Sequence, residues 1–468
     1  MRGRYLFPGF VLVVVLLSEL SLANILHVSV VFRHGVRTHL SKNSDPLDGE
    51  GEARLLVPEG GDEARRLGTF IRNTYLTTED DSMKIDQSEP RYTSIRDVKI
   101  VSSNLVRTTS TAAGFADGLY PDQAVPVTIS ALEEDDFLIR AYTKCPNFSD
   151  RLNDLYASEE FQNKERETRD FRTAWAPAFS EPTTLENWWN VFDKYNLALN
   201  YGSHNGRDVD VPEDVSLDEA RNAFPEMQEL AEWVELRRYS PDMVVDDVGG
   251  RLLGEIVGDI RRALDENQSP HRITAYSSHY PTILSLVSTM SGEMIGHIPN
   301  FGEAVIVELH DSGLRLGVYS QASSEIEYIS VNEDLCDSDP PVVPCPFGAL
   351  EQFFDASLLR DAAGACKACG NSEAPVCAPV DALPGATQSP TATATASPTP
   401  ASEPQCGDGL SATAAGFIGA FVGLAFGGVA VAAVVYIRRR RSERSAVFGL
   451  EVGGKDAKDG YVPDVLAT

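Results

Sequence analysis

Ile25-Leu26-His27-Val28-Ser29-Val30-Val31-Phe32 runs straight into Arg33-His34-Gly35-Val36-Arg37, and this stretch decides the fold. An apolar run broken only by His27 and Ser29 predicts a strand buried on both faces, as in a parallel sheet. Such a strand needs helices on either side of it. Basic residues and a glycine follow at its carboxyl end, and in open α/β sheets that edge is where ligands bind.

The pattern holds on working outward. Residues 62–75 have helical spacing. Residues 98–102 read as a second strand, followed by a helix that Asn104 can cap. Residues 158–264 read as mostly helical, with an amphipathic stripe of Leu252, Leu253, Ile256, Val257, Ile260 and Leu264. Residues 273–277 form another strand, and Pro281 suits the first turn of the helix after it. Residues 305–309 and 314–319 flank a turn and predict a hairpin. Strands alternating with helices predict an α/β sheet carrying a helical insertion at about residues 140–268.

The chain has 468 residues and a formal net charge of −29, with 43% hydrophobic and 23% charged residues. These values exclude wholesale disorder. The acidity argues against nucleic acid as a partner, because phosphate backbones recruit Lys and Arg.

Both ends read as membrane-directed. Arg2 and Arg4, an apolar stretch from Leu6 to Leu17 and the small-x-small site at Ser21-Leu22-Ala23 predict a signal peptide over residues 1–23. Residues 24–380 are the expected folded ectodomain. Residues 381–413 are rich in Thr, Ser, Ala and Pro and read as an extended stalk. Residues 414–437 carry no charge and are long enough to cross a bilayer. Arg438 to Arg441 follow at once, which puts residues 438–468 in the cytosol and makes a single-pass type I membrane protein. Its site would face the lumen of an endosome or lysosome, or the cell exterior. Gly419, Gly423 and Gly427 share one face of the span and would permit a homodimer, although glycine is common in membrane helices.

The seven cysteines all precede the span. Cys336 and Cys345 are close enough in sequence to close a local loop, and Cys145 lies far upstream of Cys366, Cys369, Cys377 and Cys406. In an oxidising compartment Cys366-Lys367-Ala368-Cys369 reads as structural disulfide rather than as a redox or zinc motif. Asn147-Phe148-Ser149 and Asn267-Gln268-Ser269 are glycosylation sequons, the second weakened by Pro270.

Three basic groups stand at the carboxyl ends of predicted strands. Arg33, His34 and Arg37 follow the first, Arg107 the second and His279 the third. The arginines offer permanently charged forks suited to a phosphate. His34 can then attack phosphorus through nitrogen. Guanidinium groups carry the charge, so neither metal nor cofactor is called for.

Arg33-His34-Gly35-x-Arg37 resembles the RHGxRxP signature of the histidine acid phosphatases. Residues 61–75, 102–112 and 249–253, together with Tyr276-Ser277-Ser278-His279, resemble later blocks of that family. Cys145-Pro146 and Cys345-Pro346-Phe347 resemble its disulfide positions. The resemblance implies a phosphoglycerate-mutase-like mixed sheet flanked by helices. It also implies hydrolysis of phosphate monoesters through a phosphohistidine on His34, with Arg33, Arg37, Arg107 and His279 holding the phosphate. Two positions depart from the pattern. His39 stands where the signature has proline, and Tyr280 stands where the family's His-Asp pair has its general acid. A phenol with a reference pKa of about 10 is a poor substitute for a carboxylic acid. The run Glu133-Glu134-Asp135-Asp136 is the other source of an acid, but by itself it reads as a solvated acidic turn. Two functions are therefore expected. The first is a membrane acid phosphatase best with good leaving groups. The second is a catalytically impaired relative acting in endocytic trafficking or as a receptor.

Overall fold

The computed structural model describes residues 24–38, 55–85, 88–201, 215–244, 247–265, 268, 270–331, 344–355 and 361–378. The signal segment, His39, Cys336, Cys406, the stalk, the span and the tail lie outside the described residues. Among those described, no helix is long and apolar enough to cross a membrane.

Seven strands among the described residues form one mixed sheet in the order β3-β2-β4-β1-β5-β6-β7. They are β1 (Ile25–Arg33), β2 (Val98–Ser102), β3 (Val127–Ile129), β4 (Ile273–Ser278), β5 (Ala304–His310), β6 (Gly313–Ser320) and β7 (Glu325–Ile329). β1 pairs in parallel with β4, and β4 in parallel with β2, so the carboxyl ends of β2, β4 and β1 lie side by side. β5 runs antiparallel to β1, and β6 antiparallel to β5, as the hairpin requires.

The helices are α1 (Pro58–Tyr75), α2 (Val106–Leu119), α3 (Pro146–Ala157), α4 (Glu159–Glu167), α5 (Arg169–Trp175), α6 (Trp188–Tyr201), α7 (Leu217–Arg238), α8 (Pro241–Val244), α9 (Gly250–Leu264), α10 (Tyr280–Ser291), α11 (Phe347–Asp355) and α12 (Ala362–Cys369). Alternation along β1 sorts them into layers. Val28, Val30 and Phe32 pack with Leu67 and Ile71 of α1 and Phe115 of α2. Val31 packs on the other face with Leu253 and Ile256 of α9 and Leu286 of α10. A side chain as fully buried as Phe32 contributes about 1.5–3 kcal/mol relative to its exposed state. The segment between β3 and α9 builds a separate aromatic core around Trp188, Trp189 and Tyr195.

Three expectations are corrected. Asn104 does not cap α2; Leu105 stands at that position with no side-chain bond, and the Thr108 hydroxyl instead donates to the Leu105 carbonyl. Leu264 leaves the α9 stripe and is exposed at the helix end, beyond the reach of the sheet. The acidic run is not a solvated turn: Asp136 is fully buried and accepts from the Ile139 N–H, while Glu133 pairs with Arg140. Short β3 and the edge strand β7 were missing from the sequence reading, because three residues, or a half-exposed edge, carry little periodic signal.

Cys145–Cys369 and Cys366–Cys377 form disulfides. The two cysteines of the Cys366/Cys369 pair thus bond elsewhere rather than to each other. The first disulfide ties α3 at the start of the insertion to α12.

Candidate active site

The loop after β1 is built by close packing. A Cβ on Gly35 would lie 2.2 Å from the Gly60 carbonyl oxygen, so only glycine lets α1 begin against this loop. The Gly35 N–H donates to Thr111 Oγ1 at 3.1 Å, and the Val36 N–H to Glu63 Oε2 at 2.7 Å. Both α1 and α2 therefore hold the backbone that presents His34.

The six residues singled out from sequence converge. Arg33, His34, Arg37, Arg107, His279 and Tyr280 all line one cavity of about 480 Å³. Parallel strand order is the reason: β1, β4 and β2 deliver His34, His279 and the Arg107 helix to one edge. The His34 and His279 rings approach to 5.4 Å between centroids. His34 Nδ1 lies 2.9 Å from the Gly35 carbonyl oxygen, an acceptor, so Nδ1 carries the proton of the neutral ring. Nε2 is left with its lone pair. His279 Nε2 meets Ser103 Oγ at 3.0 Å.

Positive charge dominates the floor. Burial pushes the His34 imidazole well below its usual pKa, and Arg107, His279, Arg37 and Arg33 push in the same direction. His279 is lowered likewise, by burial first and then by Arg107, Arg140, Arg33 and Arg37. Both rings therefore resist protonation more than a free imidazole does. Arg33 is brought down to about 10 by burial and by Arg37, and so keeps its charge. It donates to the Pro299 carbonyl at 2.6 Å and lies 3.9 Å from the Phe301 ring centroid. Arg37 forms a two-point pair with Asp193 of α6 at 3.0 and 3.1 Å. The Nε groups of Arg33 and Arg37 are buried and have no hydrogen-bond partner among the described residues.

Tyr280 begins α10, and its hydroxyl donates to Glu235 Oε2 of α7 at 2.6 Å. Glu235 is itself fully buried and paired with Arg238. Burial, and then Glu235, raise the Tyr280 phenol well above its usual pKa. Its ring stacks on Trp189, with centroids 5.7 Å apart. Tyr280 therefore joins the sheet to the helical insertion, with its proton committed to Glu235.

Asp193, Arg140 and Ser103 escaped the sequence reading. A carboxylate within Trp188-Trp189-Asn190-Val191-Phe192-Asp193 was the signal for the first, since a charge on an apolar helix is buried only with a partner. Arg140 follows the apolar run 137–139 and carried a weaker version of that signal. Ser103 had none.

The family model described as histidine phosphatase superfamily, branch 2, matches residues 38–313. The chain belongs to the histidine phosphatase superfamily. Solved structures agree on the fold. The phytase of Klebsiella sp. ASR1 is 14% identical, with 72% of this chain and 96% of that one covered and a TM-score of 0.52. The apo form of Hafnia alvei phytase is 13% identical, covering 75% and 98%, with a TM-score of 0.53. Citrobacter braakii phytase is 13% identical, covering 72% and 99%, with a TM-score of 0.52. No protein of curated function matches the chain. Membership of the histidine phosphatase superfamily supports phosphatase activity in general.

Proposed function

We propose that this histidine phosphatase is a type I membrane acid phosphatase that hydrolyses phosphate monoesters through a phosphohistidine on His34. The observation that carries the reading is a buried His34 whose Nδ1 bonds the Gly35 carbonyl, leaving Nε2 with its lone pair in a cavity lined by arginines. Arg33, Arg37, Arg107 and His279 hold the phosphate oxygens, and the bound anion offsets the positive charge that depresses both histidines. His34 Nε2 forms a bond to phosphorus as the ester P–O bond breaks. Water then cleaves the P–N bond and releases phosphate.

The uncharged stretch 414–437 and Arg438–Arg441 favour one span, with the site lumenal or extracellular in the endosomal or lysosomal system or at the cell surface. Disulfides in the described region fit such a compartment. Gly419, Gly423 and Gly427 would serve a homodimer.

A second reading, an impaired phosphatase that serves as a trafficking glycoprotein or receptor, is favoured by one observation: the Tyr280 hydroxyl is bound to Glu235 rather than free to protonate a leaving group. Initial rates on an aryl and an alkyl phosphate, measured on the full-length chain from acidic to neutral pH with His34→Ala as control, separate the two. Cleavage that depends on His34 is expected. Absence of cleavage by a folded chain favours the second reading.

A further inference from the structure

We propose that His297 and Glu303 are positioning residues for the phosphate site, clasping the turn at residues 299–303 that holds Arg33 in place. The proposal rests on the phosphatase reading and adds to it a pair that lies outside the cavity lining.

The first support is what the turn does. It leads into β5, and its main chain grips the end of β1. The Arg33 N–H donates to the Glu303 carbonyl at 2.9 Å, and the Gly302 N–H to the His34 carbonyl at 3.4 Å. The Arg33 guanidinium donates to the Pro299 carbonyl at 2.6 Å and stands 3.9 Å from the Phe301 ring centroid. One turn therefore fixes both the main chain and the charged head of Arg33. A misplacement of about 1 Å at a reacting centre can cost about 10²-fold in rate, so the shape of this turn matters to the chemistry.

The second is what fixes the turn. Glu303 is buried, and its Oε2 accepts from the Asn300 main-chain N–H at 2.6 Å and from Asn300 Nδ2 at 3.1 Å. Its Oε1 meets His297 Nε2 at 2.7 Å. One carboxylate thus ties the entry of the turn to its exit, and burial of that carboxylate is tolerated because it is bonded on both oxygens.

The third is the charge around His297. Its ring is 38% exposed and feels the carboxylates of Glu303, Glu232 of α7 and Glu327 of β7. The Glu303 bond raises the His297 pKa, burial opposes the rise, and the charges of Glu303, Glu232 and Glu327 add to it. With its pKa raised in the fold, the pair contributes fully below about 6.5 and fades as pH rises through the folded value. The turn is held hardest at acidic pH, where the proposed enzyme works.

The test is kcat/KM of the full-length chain on phenyl phosphate at pH 5.5 and pH 8. His297→Leu should lower it about fivefold at pH 5.5, the loss being limited by the exposure of the ring, and should stay within about twofold of the parent at pH 8. His297→Gln, which keeps a donor without the charge, should recover part of the loss. Made in an Arg33→Ala background, His297→Leu should cost about twofold at most, because the clasp acts through Arg33. Equal losses at both pH values, a full loss that persists without Arg33, or no loss at pH 5.5 overturns the proposal. Calorimetric binding of inorganic phosphate at the same two pH values covers the case of no turnover. Affinity that falls about fivefold in His297→Leu at pH 5.5 alone supports the proposal and leaves the failure with the phosphatase reading. Affinity unmoved by the variant overturns the proposal, and a parent that binds no phosphate overturns both.

Discussion

The two ends of the sheet bury charge in opposite ways. At the carboxyl end of β1, arginines and two histidines crowd a cavity with more positive charge than carboxylate to match it. Toward the other end, Glu308 of β5 sits opposite Val28 and is fully buried. It accepts from Tyr75 at 2.6 Å, Tyr328 at 2.8 Å and His310 at 3.0 Å, with Arg315 at 3.5 Å. Burial alone would raise its pKa, but those donors outweigh burial and hold it below the ordinary range. A buried charge surrounded by partners is structure. A buried excess of one sign is unfinished until a ligand arrives, and it marks a site.

Substitutions can break this comparison. Arg107→Ala should lower kcat/KM about 10²–10³-fold, because one cation facing the phosphate is lost. Its loss of activity should exceed anything a fall in melting temperature explains. A large fall in stability without loss of activity would reverse the assignment. Glu308→Ala should do the opposite: it strands buried donors and costs about 3 kcal/mol in denaturant unfolding. The fraction that remains folded should keep kcat/KM within about twofold, as nothing at that end touches the cavity.

Acid sharpens the contrast. Both site histidines have folded pKa values below the usual 6.5. As pH falls below about 6.5 the unfolded chain takes up protons that the folded chain refuses, so stability drops. Glu63, raised to about 7 chiefly by burial, works the other way: its contribution is present below its unfolded pKa and fades as pH rises through 7. The double variant His34→Asn/His279→Asn should therefore lose less stability than the parent between pH 7 and pH 4.5. A steeper loss in the variant would mean that the histidines are charged in the folded state. The smallest expected effect is chemical. Tyr280→Asp should raise the alkyl-over-aryl rate ratio about tenfold, the low end of what general acid catalysis supplies. An unchanged ratio would show that the proton already has another source.

Much of this site was legible in sequence because it follows strands. His34, Arg107 and His279 stand just beyond apolar runs, and the parallel order of β2, β4 and β1 brings such positions together. What the sequence hid were partners from the insertion. Asp193 and Glu235 sit on helices whose pattern gives a face but not what that face meets. The fate of the Tyr280 hydroxyl depends on α7, 45 residues away, and no local rule reads such a distance. Glu133 misled for the same reason, since its run looks solvated until Arg140 folds back on it. The short β3 had too few residues to alternate.

The most direct measurement is a rapid acid-free quench of the full-length chain during turnover of a phosphorus-labelled aryl phosphate at acidic pH. The account expects a phosphoenzyme that is labile to acid and stable to base, as a P–N bond is, and that vanishes in His34→Ala. A phosphoenzyme that survives in that variant, or turnover with label held on an acid-stable oxygen ester, would contradict His34 as the nucleophile.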